Sequence, residues 1–194
     1  MISLWCTGSS LDNFPKDDAQ FIAGETTTIG VNFFNLFEPE YRIFHDVAIA
    51  EWLNSRLHHV VSYGTKLVTN SYIPLGHIKQ FVVEYLPYSN EPGARVVTFS
   101  SAIDYILANF PEEKVLVFGA DFSDYTNYFH GQRRDPALEE LTDIPNQKRA
   151  FEHVWQDMAE LKKKHDFSRF INCSLESKAD FFQKRDWREV INAK

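Results

Sequence analysis

Short apolar runs broken by polar residues recur along the chain, and their lengths predict strands alternating with helices. The clearest is 115–118 (VLVF), too short for a helix and rich in strand formers. Ahead of it, 100–110 places Ala102, Ile103, Ile106, Leu107 and Phe110 on one helical face, and Pro111 stops that helix. Behind it the chain turns at Gly119 into a polar loop carrying Asp121, Ser123, Asp124, Tyr125, Tyr128 and His130. The same reading predicts strands at 2–6, 26–31, 41–45, 66–69, 81–86 and 170–173. It predicts helices at 47–57 and 146–165, and an irregular stretch or short helix at 14–24. The last long helix carries a stripe of Phe151, Val154, Trp155, Met158 and Leu161, which reads as a core face, with Lys162–Lys164 at its negative end. A long loop is expected over 131–145. Phe181, Phe182 and Trp187 in the tail are expected to pack back on the body.

This order predicts an α/β fold: a Rossmann-like α/β/α sandwich with a mostly parallel sheet, in a single domain over 1–194. Polar residues follow successive strands: Gly8-Ser9-Ser10, Asn32, Asp46 and Gly119 with Asp121. In a parallel sheet such positions share one edge, where open α/β folds bind their ligands.

Composition adjusts this picture only slightly. The 194 residues are 44% hydrophobic and 24% charged, ordinary for a globular chain that can bury a sizeable core. Aromatics reach 15%, 17 residues of them Phe, which predicts a Phe-rich core. A net charge of −7 does not favour nucleic acid as a partner, although a local basic patch would still allow it. Two cysteines, Cys6 and Cys173, are too few for a disulfide scaffold and point to a reducing, cytoplasmic compartment. No apolar run approaches the ~18–20 residues of a membrane span, and the first residues, lacking a basic region, read as a strand rather than a signal peptide.

Candidate chemistry gathers at the strand ends. Thr7-Gly8-Ser9-Ser10 offers close backbone approach, free N–H groups and hydroxyls for a phosphate, although the same residues also make an ordinary turn. His45, His58 and His59 have no zinc-type spacing, and surface or capping roles are expected for them rather than metal binding. Arg133 and Arg134 lie in the long loop, where either a solvated surface or an anion site suits them.

The pattern resembles the small bacterial sialyltransferases and their relatives, the motility-associated glycosyltransferase-like and hydroxymethylpterin diphosphokinase-like proteins. Cys6-Thr7-Gly8-Ser9-Ser10-Leu11 resembles the family's Gly-x-Gly-Pro-Ser-Leu donor loop, with Cys6 in place of the first Gly and no Pro. Val31-Asn32-Phe33 resembles its strand-two Asn, which contacts the donor nucleotide, and Asp46 stands where the sialyltransferases have another Asn. Thr98-Phe99-Ser100-Ser101 resembles the Thr-Ser-Gly that opens the helix facing the nucleotide, and Gly119-Ala120-Asp121-Phe122 resembles Gly-Ile-Asp-Phe. Order and spacing agree over roughly 1–185, and the chain is shorter than those sialyltransferases and lacks most of their lid region.

The resemblance implies a metal-independent, inverting transfer of a sugar from a nucleotide donor, CMP- or UDP-linked, to an acceptor hydroxyl. The acceptor would be a glycan, a lipid-linked sugar or a hydroxymethylated DNA base. No further cofactor and no metal are expected. The family's base is a His on the loop after the Gly-x-Asp-Phe strand, which maps to His130, with Asp121 or Asp124 placed to orient it. Tyr125, Tyr128, Arg133, Arg134 and the Ser100-Ser101 helix start are candidates to stabilise the leaving phosphate. Two other readings stay open. One is a magnesium-dependent pyrophosphoryl or phosphoryl transferase using Asp46, Asp121 and Asp124. The other is a non-catalytic nucleotide-binding protein.

Overall fold

The computed structural model describes residues 1–87, 97–122 and 144–193, with side chains from 152 onward in the last of these segments. Its strands are β1 (Ile2–Trp5), β2 (Thr27–Val31), β3 (Tyr41–Phe44), β4 (Lys66–Asn70), β5 (Val82–Leu86), β6 (Val115–Phe118), β7 (Phe170–Asn172) and β8 (Gln183–Lys184). Its helices are α1 (Lys16–Glu25), α2 (Val47–Ser55), α3 (Leu57–Tyr63), α4 (Thr98–Asn109), α5 (Ile144–Lys164) and α6 (Trp187–Ile191). The eight strands form one sheet in the order β5-β4-β3-β2-β1-β6-β7-β8, and every pairing is parallel. The expected α/β class with a Rossmann-like sheet is therefore observed, with wholly rather than mostly parallel pairing.

Both faces are covered, so the central strands are mostly apolar on both sides, as a parallel sheet favours. On one face, Leu4, Ile29, Val31, Ile43, Val68 and Val117 pack under α4 and α5 through Phe99, Ile103, Val154, Met158 and Leu161. On the other, two clusters lie side by side. Trp5, Leu116, Phe118 and Ile171 pack under α1 and α6, with Trp5 stacked on Phe118 at 4.2 Å between ring centroids. Phe44 and Leu67 pack under α2, α3 and a 3-10 turn at Gly76–Phe81. The aromatic surplus thus fills the core. Phe182 and Trp187 join it as expected, and Phe181 packs against it.

Some boundaries differ from the pattern. The expected single helix 47–57 breaks at Arg56, and α3 follows, ending on Gly64 in the left-handed region (φ 64°). Val60 on α3 still joins Leu53 and Ile78 in one cluster. The stretch 14–24 is a helix, and Thr26 caps its end by donating its hydroxyl to Ile22 O (2.8 Å), so β2 starts one residue late. Short β8 and α6 escaped the pattern because their apolar residues are few. The expected loop 131–145 falls largely outside the described residues.

The link between β2 and β3 is unusual. Parallel neighbours normally need a crossover of about a dozen residues or more, yet only residues 32–40 join them. This loop folds flat over Gly30, where a Cβ would meet Pro39 Cγ at 2.8 Å and Phe34 Cδ1 at 2.9 Å. Arg42, fully buried on β3, pins it by donating to Asn32 O (2.7 Å), Phe34 O (2.8 Å) and Glu38 Oε1 (3.3 Å).

Candidate functional site at the carboxyl edge of the sheet

Strand order steps outward from β1 through β2 to β5, then returns through α4 to β6 on the other side of β1. The reversal makes the β1/β6 boundary a topological switch point, where a crevice opens beyond the carboxyl ends of the strands. The loops after those two strands meet there. Cys6 N donates to Phe118 O (2.8 Å) and Gly8 N to Gly119 O (2.9 Å). A Cβ on Gly8 would fall 2.3 Å from Gly119 O and 2.6 Å from Asp121 Oδ2, so only glycine fits. Gly119 has φ 68°, which also favours glycine.

Asp121 is buried at this junction. Its carboxylate accepts from Ser10 N (2.7 Å), from the Ser10 hydroxyl and, at 3.4 Å, from the Ser9 hydroxyl. The hydroxyls expected to face a phosphate therefore close the β1 loop onto the β6 loop. Ser174 and Ser177, after β7, extend the closure: Gly119 N donates to Ser174 Oγ (2.9 Å), and Ser177 Oγ donates to Ala120 O (2.7 Å). Phe122 follows at φ 47°, a left-handed conformation rare for a bulky residue. Phe99, Trp155 and Phe181 hold it, with ring centroids 5.1–5.6 Å away.

Across β1, the ends of β2, β3 and β4 present a different surface. Asn32 (φ 52°), His45 and Asn70 are buried, and Asn32 Oδ1, His45 Nε2 and Asn70 Oδ1 have no hydrogen-bond partner. Their main chains are nonetheless firmly held. Asn32 N donates to Ile43 O (3.0 Å), the Tyr72 hydroxyl to His45 O (3.0 Å) and Ile73 N to Asn70 O (3.2 Å). Burial lowers the His45 pKa to about 4, so its imidazole is neutral at pH 7. Burial also raises the Asp46 carboxyl, although the side chain stands at the exposed rim.

Ser100 and Ser101 open α4 and are buried. The Ser100 hydroxyl lies 2.9 Å from Val97 O and 2.5 Å from Asp157 Oδ2 on α5, so it ties the two helices together. Gly8, Ser9, Ser10, Gly119 and Asp121 thus meet in one network, while Asn32 and Asp46 lie along the edge on the other side of β1. His130, Tyr125, Tyr128, Ser123, Asp124, Arg133 and Arg134 lie outside the described residues. Among the described residues no group of three His, Cys, Asp or Glu side chains converges. The two cysteines belong to opposite faces of the sheet, and burial raises both thiols, Cys173 to about 12. No described helix is long and apolar enough to cross a membrane.

Sequence reasoning missed Asn70, Ser174, Ser177 and the unpaired ring of His45. Asn70 ends β4 one residue beyond the predicted strand, and Ser174 follows the predicted last strand, so the strand-end rule that found Asn32 also covers both. Comparison with family models, with curated proteins and with solved structures returned no match. Fold and edge together define an α/β protein with an all-parallel, Rossmann-like sheet and a polar carboxyl edge at its switch point.

Proposed function

We propose that this protein is a glycosyltransferase that binds a nucleotide-sugar donor across the carboxyl edge and passes the sugar to an acceptor hydroxyl without a metal. The observation that carries this reading is the switch-point junction itself. Gly8, Gly119 and Asp121 bring the β1 and β6 loops together beside a row of buried polar side chains on the neighbouring strand ends. Such a crevice is where open parallel sheets bind nucleotides. The resemblance of the same loops to the sialyltransferase-like proteins narrows the chemistry to sugar transfer.

In this mechanism the acceptor oxygen attacks the anomeric carbon as the bond to the donor phosphate breaks. The acceptor proton passes to His130, and the leaving phosphate is stabilised by Tyr125, Tyr128, Arg133 or Arg134. Asp121 would be a positioning residue, because its carboxylate sets the loop that leads towards His130.

Thermal shift with CMP, CDP, UDP, GDP and ATP, in chelator and in magnesium, tests the donor class. A cytidine or uridine nucleotide should raise Tm equally in both, by an amount equivalent to ~2.7 kcal/mol at a hundredfold excess over Kd. Shifts that need magnesium would favour phosphoryl transfer, and no shift with any nucleotide would overturn the reading. Asn32→Gly, which keeps the left-handed backbone while deleting the side chain, should weaken binding without unfolding the chain. His130→Ala should cost ~10²–10⁴-fold in turnover with donor affinity unchanged, and near wild-type turnover would remove His130 as the base.

A further inference from the structure

The row at the ends of β2, β3 and β4 differs from ordinary buried polar residues, which nearly always find partners. Three neighbouring strand ends each carry a side chain at least nine-tenths buried with an unpartnered polar atom: Asn32 Oδ1 (residue 5% exposed), His45 Nε2 (8%) and Asn70 Oδ1 (3%). The register brings them together. Phe44 pairs with Thr69, so His45 and Asn70 follow side by side, and Asn32 N is bonded to Ile43 O, one strand over. Side-chain alternation places Asn70 on the same sheet face as Val68, which packs under α4. His45, two residues beyond Ile43, continues that same face.

The chemistry of the row is specific. Two amide oxygens are acceptors, and a neutral imidazole supplies one further site. Arg42, the charged residue on β3 beside them, is on the opposite face with Phe44 and has both terminal nitrogens on Asn32 O, Phe34 O and Glu38. The unpartnered amide oxygens are acceptors, so hydroxyl and amino hydrogens match them where the oxygens of a phosphate do not. We propose that this row is the subsite for the uncharged nucleoside part of the donor, with His45 and Asn70 as binding residues that accept from its ribose hydroxyls or base amine. The inference rests on the nucleotide reading above.

Binding of unphosphorylated cytidine, uridine and 2′,3′-dideoxycytidine, measured by calorimetry beside CMP and UDP, tests it on wild type, His45→Phe and Asn70→Leu. Wild type should bind at least one nucleoside, and each variant should weaken nucleoside and nucleotide by about tenfold or more. Without ligand, each variant should melt at the wild-type temperature or higher, because an unpaired buried polar group has been replaced by an apolar one. Loss with uridine assigns the base amine, and loss with the dideoxy compound assigns the ribose hydroxyls. Nucleotides that bind all three proteins equally would overturn this subsite and leave the donor reading standing. Nucleotides that bind none of them would overturn both. A Tm rise produced by magnesium, calcium or zinc alone, abolished by Asn70→Leu, would overturn it in favour of a cation.

Discussion

Two halves of one sheet edge treat their polar groups in opposite ways. At β1 and β6, Ser9, Ser10, Asp121, Ser174 and Ser177 are satisfied by one another and by the main chain, and clamp two loops shut. At β2, β3 and β4, Asn32, His45 and Asn70 are as buried as Asp121, Ser174 and Ser177 and keep polar atoms unpaired. A satisfied network stabilises and fixes geometry, whereas an unpaired buried group costs about 1–3 kcal/mol that a ligand can recover on binding. The first half therefore reads as scaffold and the second as receptor, although the sequence offered the first as the phosphate cradle.

The sharpest way to break the receptor half without replacing a residue of the row is Arg42→Ala. It removes the post under loop 32–40, leaves Asn32 O and Phe34 O without their donor, and leaves Glu38 with the Thr65 hydroxyl but no cation. Breaking such a buried pair should cost about 3–5 kcal/mol in urea denaturation. A cost below about 1 kcal/mol would mean that the loop holds itself.

The next effect is on pH dependence. His45 has a folded pKa of about 4 against the ordinary 6.5. Above pH 6.5 the ring is neutral in both states and the folded protein keeps its full stability. Between pH 6.5 and 4 the unfolded chain takes up a proton that the folded one refuses, so stability falls with pH, by up to about 3 kcal/mol. Asp46, whose carboxyl is raised, acts in the opposite sense over the carboxylate range. His45→Phe should flatten the fall between pH 6.5 and 4 in a series of thermal melts, and an unchanged slope would place the titration elsewhere.

In the scaffold half, Gly8→Ala forces a methyl into Gly119 O and Asp121, and should cost about 2 kcal/mol and several degrees of Tm. The mildest change sharpens the comparison most. Ser177→Ala deletes a satisfied buried hydroxyl and should cost about 1 kcal/mol, while Asn70→Leu, equally buried, should cost nothing or stabilise the chain. If the two lose stability equally, the halves do not differ in kind.

Most of the architecture was legible in the sequence. Short, mostly apolar runs followed by Gly, Asn, Asp or His announced parallel strands and a polar edge, because burial on both faces leaves few polar positions inside such a strand. Gly8, Asn32, Gly119 and Asp121 were found by that rule alone. What it could not give was strand order, since a strand's pattern is the same in the middle of a sheet as near its edge. Order placed β6 beside β1 and so made Asp121, 111 residues downstream, the partner of Ser10. Nor could it tell a satisfied serine from an unsatisfied asparagine, because pairing depends on which loop arrives opposite. The sequence determined which residues stand at the edge, and the tertiary structure decided which of them are tied to one another and which are left with something to bind.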